Sequence, residues 1–112
     1  MAEELDMAVV IGDDDTVRVT LAGRFDVGEA PRVRETVLAA PVAGIPRMVI
    51  DLSGVSFLDS AGLAVLARAR RDRVLSGRSL VLVRPASDDA MRVFRLTRFD
   101  EIFTMVDRGE ES

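Results

Sequence analysis

Asp51-Leu52-Ser53-Gly54-Val55-Ser56-Phe57-Leu58-Asp59-Ser60-Ala61-Gly62-Leu63 is the stretch on which the fold turns. Just before it, Met48-Val49-Ile50 follows Pro46 and runs into Asp51-Leu52 as a nearly continuous apolar segment of strand length. Such a segment reads as a strand buried on both faces, in a parallel sheet covered by helices. A short loop is predicted next, and Asp59-Ser60-Ala61-Gly62 then opens a helix from about Ser60 to Ser76. Leu63, Leu66, Ala67 and Val74 form its expected inward stripe, with Gly77 placed to end it.

Toward the C-terminus, Ser79-Leu80-Val81-Leu82-Val83 reads as another buried strand, ended by Pro85. Ser87 followed by Asp88 and Asp89 is a capped, dipole-matched helix start, and Met91, Val93, Phe94 and Leu96 fill the helix. Ile102 to Val106 reads equally as a last strand or a short helix. Toward the N-terminus, Met7-Ala8-Val9-Val10-Ile11 stops at the turn cluster Gly12-Asp13-Asp14-Asp15. Val17, Val19 and Leu21 then alternate with Arg18 and Thr20, the period of a strand with one wetter face. These two strands form an antiparallel pair. Ala30, Val33, Val37 and Ala40 recur as one helical stripe, with Pro31 in the first turn and an end near Pro41. The predicted order is β-β-α-β-α-β-α plus a C-terminal element. This is an α/β fold with a mixed sheet of four or five strands, the later ones parallel through right-handed crossovers.

The chain of 112 residues fits a single domain, 1–112, with a core over about 7–106 and short polar ends at 1–6 and 107–112. Apolar residues at 48% and charged residues at 30% argue against intrinsic disorder. The absence of cysteine excludes disulfide scaffolds, thiolate metal sites and thiol nucleophiles. The absence of histidine removes the commonest general base and metal ligand. Fifteen arginines, no lysine and 19 acids give a net charge of −4, which argues against direct nucleic-acid binding. No apolar run approaches the roughly 20 residues of a membrane span, and Met1-Ala2-Glu3-Glu4 is no signal peptide. The expectation is a cytoplasmic domain without cofactor or metal.

Ligands of open α/β sheets gather at the carboxyl ends of strands, where Asp59-Ser60 falls. A helix start there offers unpaired N–H groups and the positive end of the helix dipole. Ser60 is therefore a hydroxyl placed where a phosphoryl group is electrostatically tolerated. The plainer reading of Asp59 or Ser60 is an N-cap. A hydrolase is disfavoured, because a nucleophilic serine needs a base, and both histidine and lysine are missing. A phospho-accepting receiver domain has some support from Asp13 and Asp14 after one strand and Asp51 ending another. It is opposed by the missing lysine and by a strand, not a helix, after the acidic cluster. Arg68, Arg70, Arg71, Arg73 and Arg78 read as a solvated helix face, with partner docking open for some of them. Met91, Phe94 and Phe99 read as core.

The stretch ending Phe57-Leu58-Asp59-Ser60-Ala61-Gly62-Leu63 resembles the signature of STAS-domain anti-sigma factor antagonists. Gly23-Arg24-Phe25-Asp26 after the second strand, then Ala30-Pro31, is similar to a second landmark of that family. Val93-Phe94-Arg95-Leu96-Thr97 and Phe99-Asp100-Glu101-Ile102-Phe103 resemble its third helix and closing segment. The likeness covers about residues 8–106. It implies a partner switch: the unphosphorylated form binds an anti-sigma factor with serine kinase activity, which frees a sigma factor. Phosphorylation at Ser60 turns binding off, and a serine phosphatase resets it. Asp26, Asp59, Ser60, Ala61 and Gly62 are the implied partner-binding residues, and the chain itself is not an enzyme. STAS-like domains also serve as non-phosphorylated scaffolds, in stress-signalling assemblies or as accessory subunits of lipid transporters. This chain departs from the family pattern at Ala61, where a second hydroxyl is common, at Arg24 in place of glutamate, and at Arg98 in place of glycine.

Overall fold

A computed structural model describes residues 4–111. Its elements run β1 (Asp6–Ile11), β2 (Thr16–Phe25), α1 (Ala30–Leu38), a 3-10 turn (Val42–Gly44) and β3 (Arg47–Leu58). There follow α2 (Ser60–Leu75), β4 (Ser79–Val83), α3 (Asp88–Thr97), a second 3-10 turn (Phe99–Glu101) and β5 (Met105–Val106). The strands form one sheet in the order β1-β2-β3-β4-β5. β1 is antiparallel to β2, and every later pairing is parallel. The open segment at Ile102–Val106 thus resolves into a short edge strand after a 3-10 turn. An antiparallel opening also removes the receiver reading, whose first strands lie parallel; the aspartates at 13–15 are an exposed turn.

One contiguous core joins Val17, Val19 and Leu21 of β2 and Met48, Ile50 and Leu52 of β3 to Leu82 of β4. Against these pack Val33 and Val37 of α1, Leu63 and Leu66 of α2, and Met91 and Phe94 of α3. Phe94 meets Phe103 edge-on with centroids 5.9 Å apart, the geometry aromatic quadrupoles favour. Val49, Asp51 and Val83 alternate with the core positions, so they point to the opposite face of the sheet. They are buried although they lie outside the cluster that the helices complete, so the prediction that helices cover both faces of β3 and β4 does not hold.

Several boundaries differ from the sequence reading. The loop expected after Leu52 is absent, because β3 continues to Leu58 beside the far end of β2, with register shifts at Thr20/Ala22 and Gly23/Arg24. Consequently Gly23-Arg24-Phe25 lies within β2, not after it, and Asp26 is the first residue beyond. Helix α1 stops at Leu38, because Ala39 is already extended, and Ala40 before Pro41 is left exposed. Val74 and Leu96 are 59% and 74% exposed, off the stripes assigned to them. Leu5, read as part of a polar end, is buried, and its N–H donates to Glu29 Oε2 at 2.8 Å. Residues 1–3 and 112 lie outside the described residues.

Arg73 is the sharpest departure from the solvated helix face. It is 3% exposed and donates to the carbonyls of Ser79 (2.6 Å), Ala43 and Ile45. Burial, with Arg78 nearby, lowers its pKa, and the three carbonyls satisfy its donors. The end of α2 follows expectation. Gly77 takes φ +73°, its N–H donates to Val74, and the Arg78 N–H donates to Arg73 O at 2.8 Å.

Candidate functional site

Strands β2 and β3 end side by side, with Phe25 opposite Leu58, and this pairing brings Asp26 and Asp59 together. Asp59 is the N-cap of α2, in extended conformation. Its Oδ1 accepts from the Gly62 N–H at 3.0 Å, which ties down one of the donors left over at a helix start. Its Oδ2 accepts from the Val27 N–H at 3.1 Å and so joins the loop after β2 to the helix. The N-cap reading of Asp59 is therefore correct. It leaves Ser60 as the first helical residue, exposed, with its hydroxyl at the positive end of a sixteen-residue helix.

Gly62 fixes how closely α2 approaches the strands. A Cβ at this position would stand 2.6 Å from Leu58 Cδ1 and 2.7 Å from the Phe25 carbonyl oxygen. Neither neighbour leaves room, since Phe25 O is backbone and both residues are buried. The glycine is itself buried, so it holds the site from beneath while Ser60, Ala61 and the two aspartates form the surface.

Asp26 Oδ1 accepts from the Gly28 N–H at 3.1 Å, and its Oδ2 lies 3.6 Å from Arg24 Nε. Arg24 also stacks on Phe57, with its guanidinium carbon 4.0 Å from the ring centroid. The charge reversal at position 24 is thus accommodated by one carboxylate and one aromatic face. Motif reading missed this Arg24–Phe57 pair, and the register Arg24↔Phe57 is what brings it together. Val27, whose N–H meets Asp59, is 70% exposed, and a groove of about 420 Å³ lined by it and Ala61 runs between α1 and α2. Among the described residues no cluster of acidic side chains is spaced to hold a metal ion.

A separate charged cluster sits on the opposite face of the sheet. Asp51 is 5% exposed, accepts from Arg18 at 2.6 Å and from the Ser53 N–H at 2.9 Å, while Arg18 also reaches Glu111 at 2.8 Å. Burial pushes the Asp51 carboxyl up, but the hydrogen bonds from Ser53 and Arg18 outweigh it and hold the group below its ordinary value. The Ser53 side chain also hydrogen-bonds Asp51, and the cluster lies away from the β2 and β3 ends.

With this geometry in place, the relatives are informative. A family model described as Mlab, STAS domain, matches residues 9–107. An anti-sigma-B factor antagonist of Listeria monocytogenes is 33% identical over 90 residues, covering 80% of this chain and 78% of the relative. The chain belongs to the STAS-domain family of anti-sigma factor antagonists. The crystal structure of an anti-sigma factor antagonist from Mycobacterium paratuberculosis superposes with a TM-score of 0.82 at 26% identity, covering 96% of this chain and 90% of that one. The Bacillus cell fate determinant SpoIIAA in its phosphorylated form shares the fold, with a TM-score of 0.74 at 21% identity over 95% and 94% of the two chains. The expected α/β STAS-like architecture is therefore correct, and the family is one of regulators. Among the described residues no helix is long and apolar enough to cross a membrane.

Proposed function

We propose that this chain is a cytoplasmic, single-domain partner switch. Its unmodified form binds an anti-sigma factor that is also a serine kinase, and phosphorylation at Ser60 abolishes that binding. The observation that carries this reading is Ser60 itself, exposed at the first position of α2, directly after Asp59, whose carboxylate also holds the loop that begins at Asp26. Phosphorylation adds about −1.5 to −2 charges and three strongly hydrated oxygens. At the centre of a protein contact such a group meets steric obstruction, loses hydration and repels both aspartates. A loss of about 3 kcal/mol lowers affinity more than a hundredfold. No rearrangement of the domain is needed.

The chain supplies the acceptor hydroxyl and no catalysis. The kinase contributes ATP and the base, and a serine phosphatase removes the group. Ala61 leaves no hydroxyl beside Ser60, so Ser60 alone carries the switch. Asp26, Asp59, Ser60 and Ala61 form the contact surface, with Gly62 holding it from below.

Incubation with each purified kinase-type anti-sigma factor of the source organism and ATP, followed by intact-mass analysis and site mapping, tests the acceptor. The expected product carries one phosphate, on Ser60. In binding assays Ser60→Ala retains wild-type affinity, whereas Ser60→Asp weakens it more than a hundredfold. Equal affinities for the two variants overturn the switch and leave a constitutive scaffold.

A further inference from the structure

The surface around Ser60 continues into the groove between α1 and α2, and its chemistry changes along the way. Ala61 follows the acceptor serine and lines the groove; Val27, Pro31 and Ala64 continue its apolar wall. Arg34 from α1 and Arg68 from α2 also line it. Arg34 forms no ion pair among the described residues. Arg68 has only Asp72, at 3.5 Å with both side chains about half exposed, a contact of little energetic weight. The groove therefore presents an apolar strip with two guanidinium groups, at least one uncompensated, in a protein whose net charge is −4. At the Ser60 end the surface carries Asp59 and Asp26, with Arg24 3.6 Å from Asp26, which leaves a net negative charge there.

We infer that the anti-sigma factor inserts an apolar segment bearing carboxylates into the α1–α2 groove, where Arg34 and Arg68 clasp it. This rests on the proposed function and states where the partner goes. A stable complex covers about 800 Å² on each side, much more than one serine and its immediate neighbours present. The footprint has to extend from Ser60, and Ala61 connects it to a groove of about 420 Å³ with a 70% exposed valine at its side. Guanidinium groups grip carboxylates bidentately, and the acidic-to-basic change along the surface fixes one orientation of the partner. Phosphorylation then strikes the acidic end of a bipolar surface, while the basic end keeps its register.

The probe is the anti-sigma factor that phosphorylates Ser60 in the assay above, with affinity and association rate measured at two salt concentrations. Arg34→Glu combined with Arg68→Glu lowers affinity at least thirtyfold and flattens the salt dependence. Arg34→Ala combined with Arg68→Ala gives a smaller loss in the same direction and guards against misfolding of the charge reversals. Arg92→Glu, at an exposed position of α3, leaves binding unchanged. Wild-type affinity in both double variants, with Ser60→Asp still weakening the complex, overturns this inference alone. A wild-type chain that binds none of the anti-sigma factors overturns the proposed function and this surface with it. If the isolated chain instead self-associates in sedimentation, and the double variants abolish that association, the occupant is a second copy and the inference fails.

Discussion

Asp51 and Asp59 stand eight residues apart on one continuous segment, and the fold puts them to opposite uses. Asp51 is buried in β3 on the face away from the core cluster, where Arg18 and the Ser53 N–H satisfy it. Asp59 lies at the end of the same strand, half-buried, and accepts from the backbone N–H groups of Val27 and Gly62. The first carboxylate neutralises a cation and holds the sheet face. The second spends both oxygens on backbone, so it positions the start of α2 and leaves Ser60 outward. A carboxylate's partners reveal its task better than its distance from the candidate site does.

Stability measurements test these two roles, and a glycine beneath the site gives the strongest signal. Gly62→Ala forces Leu58 or α2 to shift away from the Phe25 carbonyl and destabilises by about 2–3 kcal/mol, a typical overpacking cost. Denaturant midpoints measure this, and an unchanged midpoint would mean that α2 can tilt freely at its start. Asp51→Ala strands Arg18 with Glu111 alone and costs about 1–2 kcal/mol in the same assay. This contribution also depends on pH. The folded pKa of Asp51 lies below its unfolded value, so its contribution is full above about pH 4 and is lost as pH falls through the folded value. Asp51→Asn therefore flattens the acid limb of a stability–pH profile. Asp59→Ala removes an N-cap and costs about 1 kcal/mol. Hydrogen exchange then speeds up at Val27 and Gly62, whose N–H groups lose their acceptor, and unchanged rates there would sink the positioning role.

Much of this arrangement was legible in the sequence wherever the cause is local. Caps at Asp59 and Ser87 follow from short polar side chains that accept from a backbone N–H three residues on. Gly77 at a helix end needs only its positive φ. The short turn at residues 12–15 between an apolar run and an alternating strand gave the β1–β2 pair, and the exposure of Ser60 agrees with its place just past a strand. What failed were features whose cause lies far along the chain. The segment Ser53–Leu58 looks like a loop because Ser53-Gly54 interrupts the apolar run, yet the end of β2 supplies its hydrogen-bond partners. Arg73 is indistinguishable from its neighbours until Ala43, Ile45 and Ser79 converge on it. Leu5 looked like part of a tail until Glu29 captured its N–H, and Glu111 is drawn back by Arg18, 93 residues earlier.

By itself the sequence determined the alternation of elements, the family and the one hydroxyl on which the proposed switch turns, because periodicity, capping and motif spacing are carried by residues close together along the chain. Only the tertiary structure decided that Asp26 and Asp59 share a rim, that Arg24 stacks on Phe57, that Gly62 sits under the site, and that Arg34 and Arg68 line one groove. Those relations depend on strand register and helix packing, which are set by burial summed over the whole core.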